Sequence, residues 1–231
     1  MANEMQKEKI KPRIGEGIYT VPEAAQILNL STPKVRRWIK KYWELDFLSE
    51  SYAIDSYTWG ESRDKAFNFY TLIEIIAVHT FREIGVSFQK IKLAHEILAG
   101  ILETLYPFST SQLLTDGITI FYKYSDAALL NLDRSMQTSF KKIIEPYCQK
   151  IDFDESNYLA ERYWPLGKEH TIVVDPHHSF GQPTIAGTNI TVDSLLTLIR
   201  AGEKKEVIAS LYDISVEEVD DVILFQDNRA A

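Results

Sequence analysis

Apolar positions recur at helical spacing soon after the start of the chain. Ala24, Ala25, Ile27 and Leu28 form one small apolar face, and Thr20-Val21-Pro22-Glu23 precedes it. A Thr followed three residues later by a Glu predicts a capping box, in which each side chain bonds a backbone N–H near the other. Pro22 suits the first turn of that helix. Asn29-Leu30 predicts a turn, and Ser31 or Thr32 opens a second helix with Pro33 at its start. Val35, Trp38 and Ile39 then fall at spacings of three and four and face inward. Arg36, Arg37, Lys40 and Lys41 project from the other faces. Two short helices joined by a tight turn, the second one basic, predict a helix-turn-helix.

Further along, residues 46–70 are irregular and aromatic and suit a β-hairpin, with Gly60 near its turn. Leu72, Ile75, Ile76 and Val78 predict a helix over about 71–84 that ends at Gly85. Ser87 caps another helix running to about Leu105, and Pro107 breaks that pattern. Asp116-Gly117 between β-prone runs predicts a hairpin over 112–124. Residues 126–148 predict a helix, Thr171–Val174 a strand and 175–191 a loop. Three short helices are expected last, over about 192–201, 203–211 and 215–226, with Ser215 as a cap.

A chain of 231 residues is one large domain or two to three small ones. With 45% hydrophobic and 25% charged residues it has the balance of a folded globular protein. No apolar run approaches the roughly 18 residues of a spanning helix. The opening MANEMQKEKIKPRIGEG has no apolar stretch after its lysines and does not read as a secretory signal. The single cysteine, Cys148, excludes an intramolecular disulfide and a cysteine-based zinc site. A reducing, cytoplasmic setting is therefore expected.

Net charge is −8, but its distribution matters more than its sum. Residues 33–43 carry Lys34, Arg36, Arg37, Lys40 and Lys41 and no acid, a net +5. Residues 196–231 carry four basic residues against eight acidic ones, a net −4. The two ends of the chain are therefore expected to face different partners.

Two segments resemble known families. Tyr19-Thr-Val-Pro-Glu-Ala-Ala-Gln-Ile-Leu-Asn-Leu-Ser-Thr-Pro-Lys-Val-Arg-Arg-Trp-Ile, then Phe69-Tyr70-Thr71, then Phe81-Arg82-Glu83-Ile84-Gly85-Val86-Ser87 carry the first. They resemble the MerR-like winged-helix family. The stretch after the second helix is longer than that family's compact Arg-rich wing, and Pro107 arrives before its long coiled-coil helix could form. The second rests on Val174-Asp175-Pro176, on Gly181-Gln-Pro-Thr-Ile-Ala-Gly-Thr-Asn-Ile190, and on Gly202, Ile208-Ala209, Tyr212 and Ile214 through Val219. This segment, 172–225, resembles a small bacterial antitoxin family first catalogued as a domain of unknown function and paired with PIN-like toxins of the VapC kind. Asn189 stands where that family has an Arg. Together the resemblances imply a long VapB-type antitoxin with its own DNA-binding domain.

The expected fold is mainly α with small β elements (α+β). It consists of a flexible N-terminus (1–17), a MerR-like winged helix-turn-helix (18–105), a middle region with a β-hairpin and a helix (106–171), and a three-helix, helix-turn-helix-like C-terminal domain (172–231). The candidate DNA contacts are Thr32, Lys34, Arg36, Arg37, Lys40 and Lys41 on the second helix, with Arg63 and Lys65 on the wing. Such a helix enters the major groove, and its cations supply the salt-dependent part of the affinity. Asp213, Glu217, Glu218, Asp220 and Asp221 would repel phosphates, so the C-terminal helices are expected to bind protein instead. A PIN-like nuclease has an acidic metal-binding pocket, which makes Arg200, Lys204, Lys205 and Arg229 the candidate toxin contacts. The implied partners are operator DNA, the toxin and a second copy of the chain, and the implied role is repression of its own operon.

Asp175, His177 and His178 do not read as a metal site, because adjacent histidines rarely converge on one ion. Asp152, Asp154 and Glu155 lack a base or nucleophile partner. No phosphate-binding loop, nucleophile elbow, dinucleotide fingerprint or zinc motif is present. Neither an enzyme nor a cofactor is expected. The runner-up reading is a stand-alone MerR-like regulator, with the aromatic-rich residues 106–171 forming a ligand pocket.

Overall fold

The computed structural model describes residues 15–46, 58–60, 65–110, 113–115, 120–125, 128–132, 138–139 and 148–228. Tyr19–Thr20 (β1) leads into Val21–Ile27 (α1), whose capping box forms as its spacing predicts. The Thr20 N–H donates to Glu23 Oε2 at 2.7 Å, and Thr20 Oγ1 accepts from the Glu23 N–H at 3.4 Å. Asn29 takes a left-handed conformation (φ 52°) in the turn that follows. Thr32–Trp38 (α2) comes next and continues without a break into a π-helical segment, Ile39–Asp46. Ala66–Phe67 (β2) pairs antiparallel with β1, matching Tyr19 to Phe67.

Phe69–Glu83 (α3) is buried on nearly every side, from Phe69 and Leu72 to Val78 and Phe81, and so forms the centre of the first core. Its cap is Asn68, whose Oδ1 accepts from the Thr71 N–H at 3.0 Å. Phe88–Leu102 (α4) packs on it through Ile91, Ala94 and Leu98. One carboxyl, Glu74, lies wholly inside this core. It accepts from the Phe108 N–H at 2.6 Å and meets His95 Nε2 of α4 at 3.1 Å. Burial pushes its pKa up, and the contacts with His95, Phe108 and Ser109 oppose that rise. Glu74 thus ties α4 and the segment after it to α3.

Two four-stranded antiparallel sheets follow. The first contains Leu113–Thr115 (β3), Ile120–Ser125 (β4), Ala128–Asn131 (β5) and Thr138–Ser139 (β6), in sequence order. The expected hairpin is its β3–β4 pair, with Leu113 opposite Tyr122; the Asp116-Gly117 turn lies outside the described residues. The helix expected over 126–148 is corrected here, because 128–131 and 138–139 are strands. Pairing of 128–131 with β4, and of 138–139 with β5, overrides the local helical preference there.

The second sheet contains Ile151–Phe153 (β7), Ala160–Tyr163 (β8), Ile172–Val174 (β9) and Pro183–Ile185 (β10), in the order β10-β9-β8-β7. The expected strand before 175 is β9. The segment expected as loop over 175–191 contains β10, matched Thr184 to Val173. Val192–Arg200 (α5), Lys205–Tyr212 (α6) and Val216–Asp227 (α7) complete the chain, close to the three expected helices. Thr191 caps α5, and Ser215 and Glu218 form a second capping box on α7. Leu195, Leu196, Ile208, Val219, Val222 and Phe225 of these helices join Ile172 and Ile185 in a second apolar core. Strand β9 serves both cores, since Val174 belongs to the first and Ile172 to the second. The architecture is mixed α+β.

The chain before α1 is held against the second sheet. The Ile18 N–H donates to Phe180 O at 3.2 Å. Ser179, Phe180 and Gly181 have positive φ values in succession (46°, 56° and 84°). That turn lets Gly181 lie directly against the Tyr19 ring, where any Cβ would overlap the Tyr19 hydroxyl. The hydroxyl is buried and has no hydrogen-bond partner among the described residues.

Candidate nucleic-acid interface

The site is built on α2 and its π-helical extension. Val35, Trp38, Ile39, Tyr42 and Trp43 are buried, and they fix which side of this helix faces the protein. Arg36, Arg37, Lys40 and Lys41 are consequently exposed. With Pro33 they border a solvent-open concavity of about 460 Å³ with no carboxylate among the described residues of its lining. Four cations around one concavity make a surface suited to a polyanion.

Ring contacts set the helix in place. The Tyr42 ring stacks on Phe88 of α4 with centroids 3.9 Å apart. Lys41 Nζ lies 5.5 Å from the Tyr42 ring and 5.8 Å from that of Phe88. Lys34 Nζ lies 5.0 Å from the Trp38 ring. The first two contacts hold the Lys41 ammonium at the concavity while leaving its charge intact, and the third holds that of Lys34 over Trp38. Thr32, at the first position of α2, is half-buried.

Lys65 joins this group from a distant part of the sequence. The pairing of Trp59 with Ala66 places it beside the helix. Its pKa is lowered, first by partial burial and then by the charge of Lys40. Two like charges held close together gain from an anion between them. Arg63 lies outside the described residues. The approach of Lys65 to Lys40 has no local signature in sequence, because it depends on the β1–β2 pairing across more than forty residues.

The C-terminal candidates lie at the α5–α6 corner. Arg200 is the exposed last residue of α5, and Lys204 is the exposed N-cap of α6. Lys205 is paired with Asp220 of α7, so its charge is partly neutralised. Arg229 lies outside the described residues. Nearby, Val207, Leu211 and Leu224 are exposed apolar side chains. Two of the acids noted in sequence have local duties. Glu218 closes the α7 capping box. Asp221 accepts from the Thr171 N–H at 2.7 Å and the Thr171 hydroxyl at 2.9 Å, and meets His170 Nδ1 at 2.7 Å. Burial alone would raise the Asp221 pKa, but these bonds hold it below the usual carboxylate range.

The remaining polar residues have structural partners. Asp175 accepts from the His177 N–H at 2.8 Å in a local turn. Asp152 accepts from Trp164 Nε1 at 2.8 Å and pairs with Lys168 at 2.7 Å. Among the described residues no three His, Cys, Asp or Glu side chains converge as a metal site would require. No helix among them is long and apolar enough to cross a membrane.

Residues 172–225 match a family described as "Protein of unknown function (DUF433)". Over 94% of its length the chain is 23% identical to a Mycobacterium tuberculosis protein named "Putative antitoxin VapB45", covering 96% of that protein. It is also similar to the crystal structure of Rv2018 from Mycobacterium tuberculosis, with a TM-score of 0.64 and 21% identity, over 93% of this chain and 99% of that one. The chain therefore shares its fold with that solved protein over 93% of its length.

Proposed function

We propose that this protein is the antitoxin of a bacterial type II toxin–antitoxin pair. Its N-terminal MerR-like winged helix-turn-helix binds operator DNA as part of a homodimer and represses its own operon. The middle and C-terminal parts dimerise and hold a PIN-like, VapC-type ribonuclease toxin, with Arg200, Lys204, Lys205 and Arg229 as its contacts. An antitoxin works by binding, so no enzymatic step is assigned. The likeness to a protein named as an antitoxin over nearly all of both chains supports the role. The observation that carries the DNA reading is the concavity bordered by Arg36, Arg37, Lys40 and Lys41, with Lys65 near Lys40. The acidic C-terminal helices suit a protein partner better than a second stretch of DNA.

The test combines Arg36→Ala with Lys40→Ala. Each phosphate contact contributes a slope of about −0.9 in log affinity against log salt, so a homodimer that loses two contacts from each protomer should lose about 3.6 units of slope. Operator binding should fail at physiological salt while toxin capture persists. Equal loss of both activities would refute the division of labour.

A further inference from the structure

A second concave site lies behind the helix that carries the basic face. A cleft of about 440 Å³ opens where α1 and its following turn, α3, β8 and α7 meet. That volume is in the range of small-molecule sites. Its apolar walls include Ile76, Tyr163, Leu166 and Phe225, and its polar groups include Asn29, His79, Lys150 and Asn228. Among the described residues no carboxylate lines it, and Lys150 carries the one fixed charge. The Lys150 ammonium donates to Pro165 O at 2.9 Å, which holds it at the edge of the cleft.

His79 adds an unmet hydrogen bond. Its Nδ1 is buried without a hydrogen-bond partner among the described residues, the Glu83 carboxylate being 3.6 Å away. Burial, and next the charge of Lys34, push the imidazole's pKa down, so at neutral pH it stands uncharged in the wall. An anion is attracted to the single ammonium and neutral amides, and a cation is repelled. The Tyr163 and Phe225 rings suit an apolar body.

From these features we propose that the cleft binds a small monocarboxylate with an aromatic or branched aliphatic body. Its carboxylate sits at Lys150 and the adjoining amides, and its body packs against Tyr163, Leu166 and Phe225. The position has a consequence for the basic helix. The His79 ring packs against that of Trp38 with centroids 5.7 Å apart, and Lys34 lies over Trp38 on α2. The His79 side of the cleft is thus one side chain removed from the candidate DNA-reading surface.

Thermal shift and calorimetry on the full chain test this, using benzoate, phenylacetate and isovalerate, with benzamide as the uncharged control. At least one acid should bind at millimolar concentration and raise Tm. Benzamide should bind roughly tenfold more weakly, the loss expected for one charge-assisted hydrogen bond. Lys150→Met, at an exposed position, should weaken the acid by a similar factor, and Thr80→Phe should fill the cleft and abolish binding. If no acid raises Tm, or if Lys150→Met binds the acid undiminished, the proposal is overturned. Should Thr80→Phe not fold, the Lys150 comparison decides alone. Operator affinity with and without the bound acid is a separate readout. The calorimetric result stands whether or not the chain binds DNA, so failure of this proposal and failure of the operator reading are distinguishable.

Discussion

The contact between Tyr19 and Gly181 joins the segment entering α1 to the turn before β10, and one atom suffices to probe it. Gly181 has φ +84°, and a Cβ there would overlap the Tyr19 hydroxyl, lie 2.7 Å from Tyr19 Cζ and lie 3.2 Å from Gly17 Cα. Gly181→Ala therefore incurs two costs. An L-residue in the left-handed region costs about 1–2 kcal/mol. Forcing a methyl into a packed contact adds about 1–3 kcal/mol. Tyr19 is 2% exposed, so it cannot swing into solvent without opening the first core. The expected loss is thus about 2–5 kcal/mol, a large share of the roughly 5–15 kcal/mol that holds a typical domain.

Urea unfolding followed by circular dichroism measures that loss. Tyr19→Phe supplies the control. It removes a buried hydroxyl that has no hydrogen-bond partner among the described residues, so by itself it should be neutral or slightly stabilising. In the Gly181→Ala background it should recover part of the loss, with a coupling of about 0.5–2 kcal/mol, because the oxygen is gone while the ring carbon remains close. Gly181→Ala with unchanged stability would refute the reasoning. So would Tyr19→Phe costing more than about 1 kcal/mol, since the hydroxyl would then have had a hydrogen bond to lose.

Lys65→Ala should reduce the salt slope of operator binding by about 1.8, the effect of one phosphate contact from each protomer of the dimer. Leu195→Ala, wholly buried in the second core, should destabilise by about 2–5 kcal/mol in urea unfolding. Asp221 has a depressed pKa, so its stabilising contribution is present above its unfolded value of roughly 3.9. That contribution is lost as pH falls through the lower folded value. Asp221→Asn should therefore lower stability at neutral pH and blunt the acid dependence of unfolding; parallel acid limbs for the two proteins would contradict this.

Helix ends were legible because their causes are local. Thr20 with Glu23, and the Ser215 cap of α7, act across three residues, so their chemistry is complete in the sequence. The basic face of α2 was legible for the same reason, since Val35, Trp38 and Ile39 assign the inner side and leave the cations outside. Local pattern failed at 128–131 and 138–139, where helix-compatible residues give their backbone bonds to β4 and β5 instead. A short apolar run is ambiguous until a partner strand is known, and β10 was missed on the same ground. The nearness of Lys65 to Lys40, the burial of Glu74 beside His95, and the Tyr19–Gly181 contact each join residues far apart in the chain. The cleft behind His79 likewise exists only where α1, α3, β8 and α7 converge. By itself the sequence determined the local elements and the separation of basic from acidic ends. Only the tertiary structure decided which distant residues share a surface, because that depends on strand register and core packing across the whole chain.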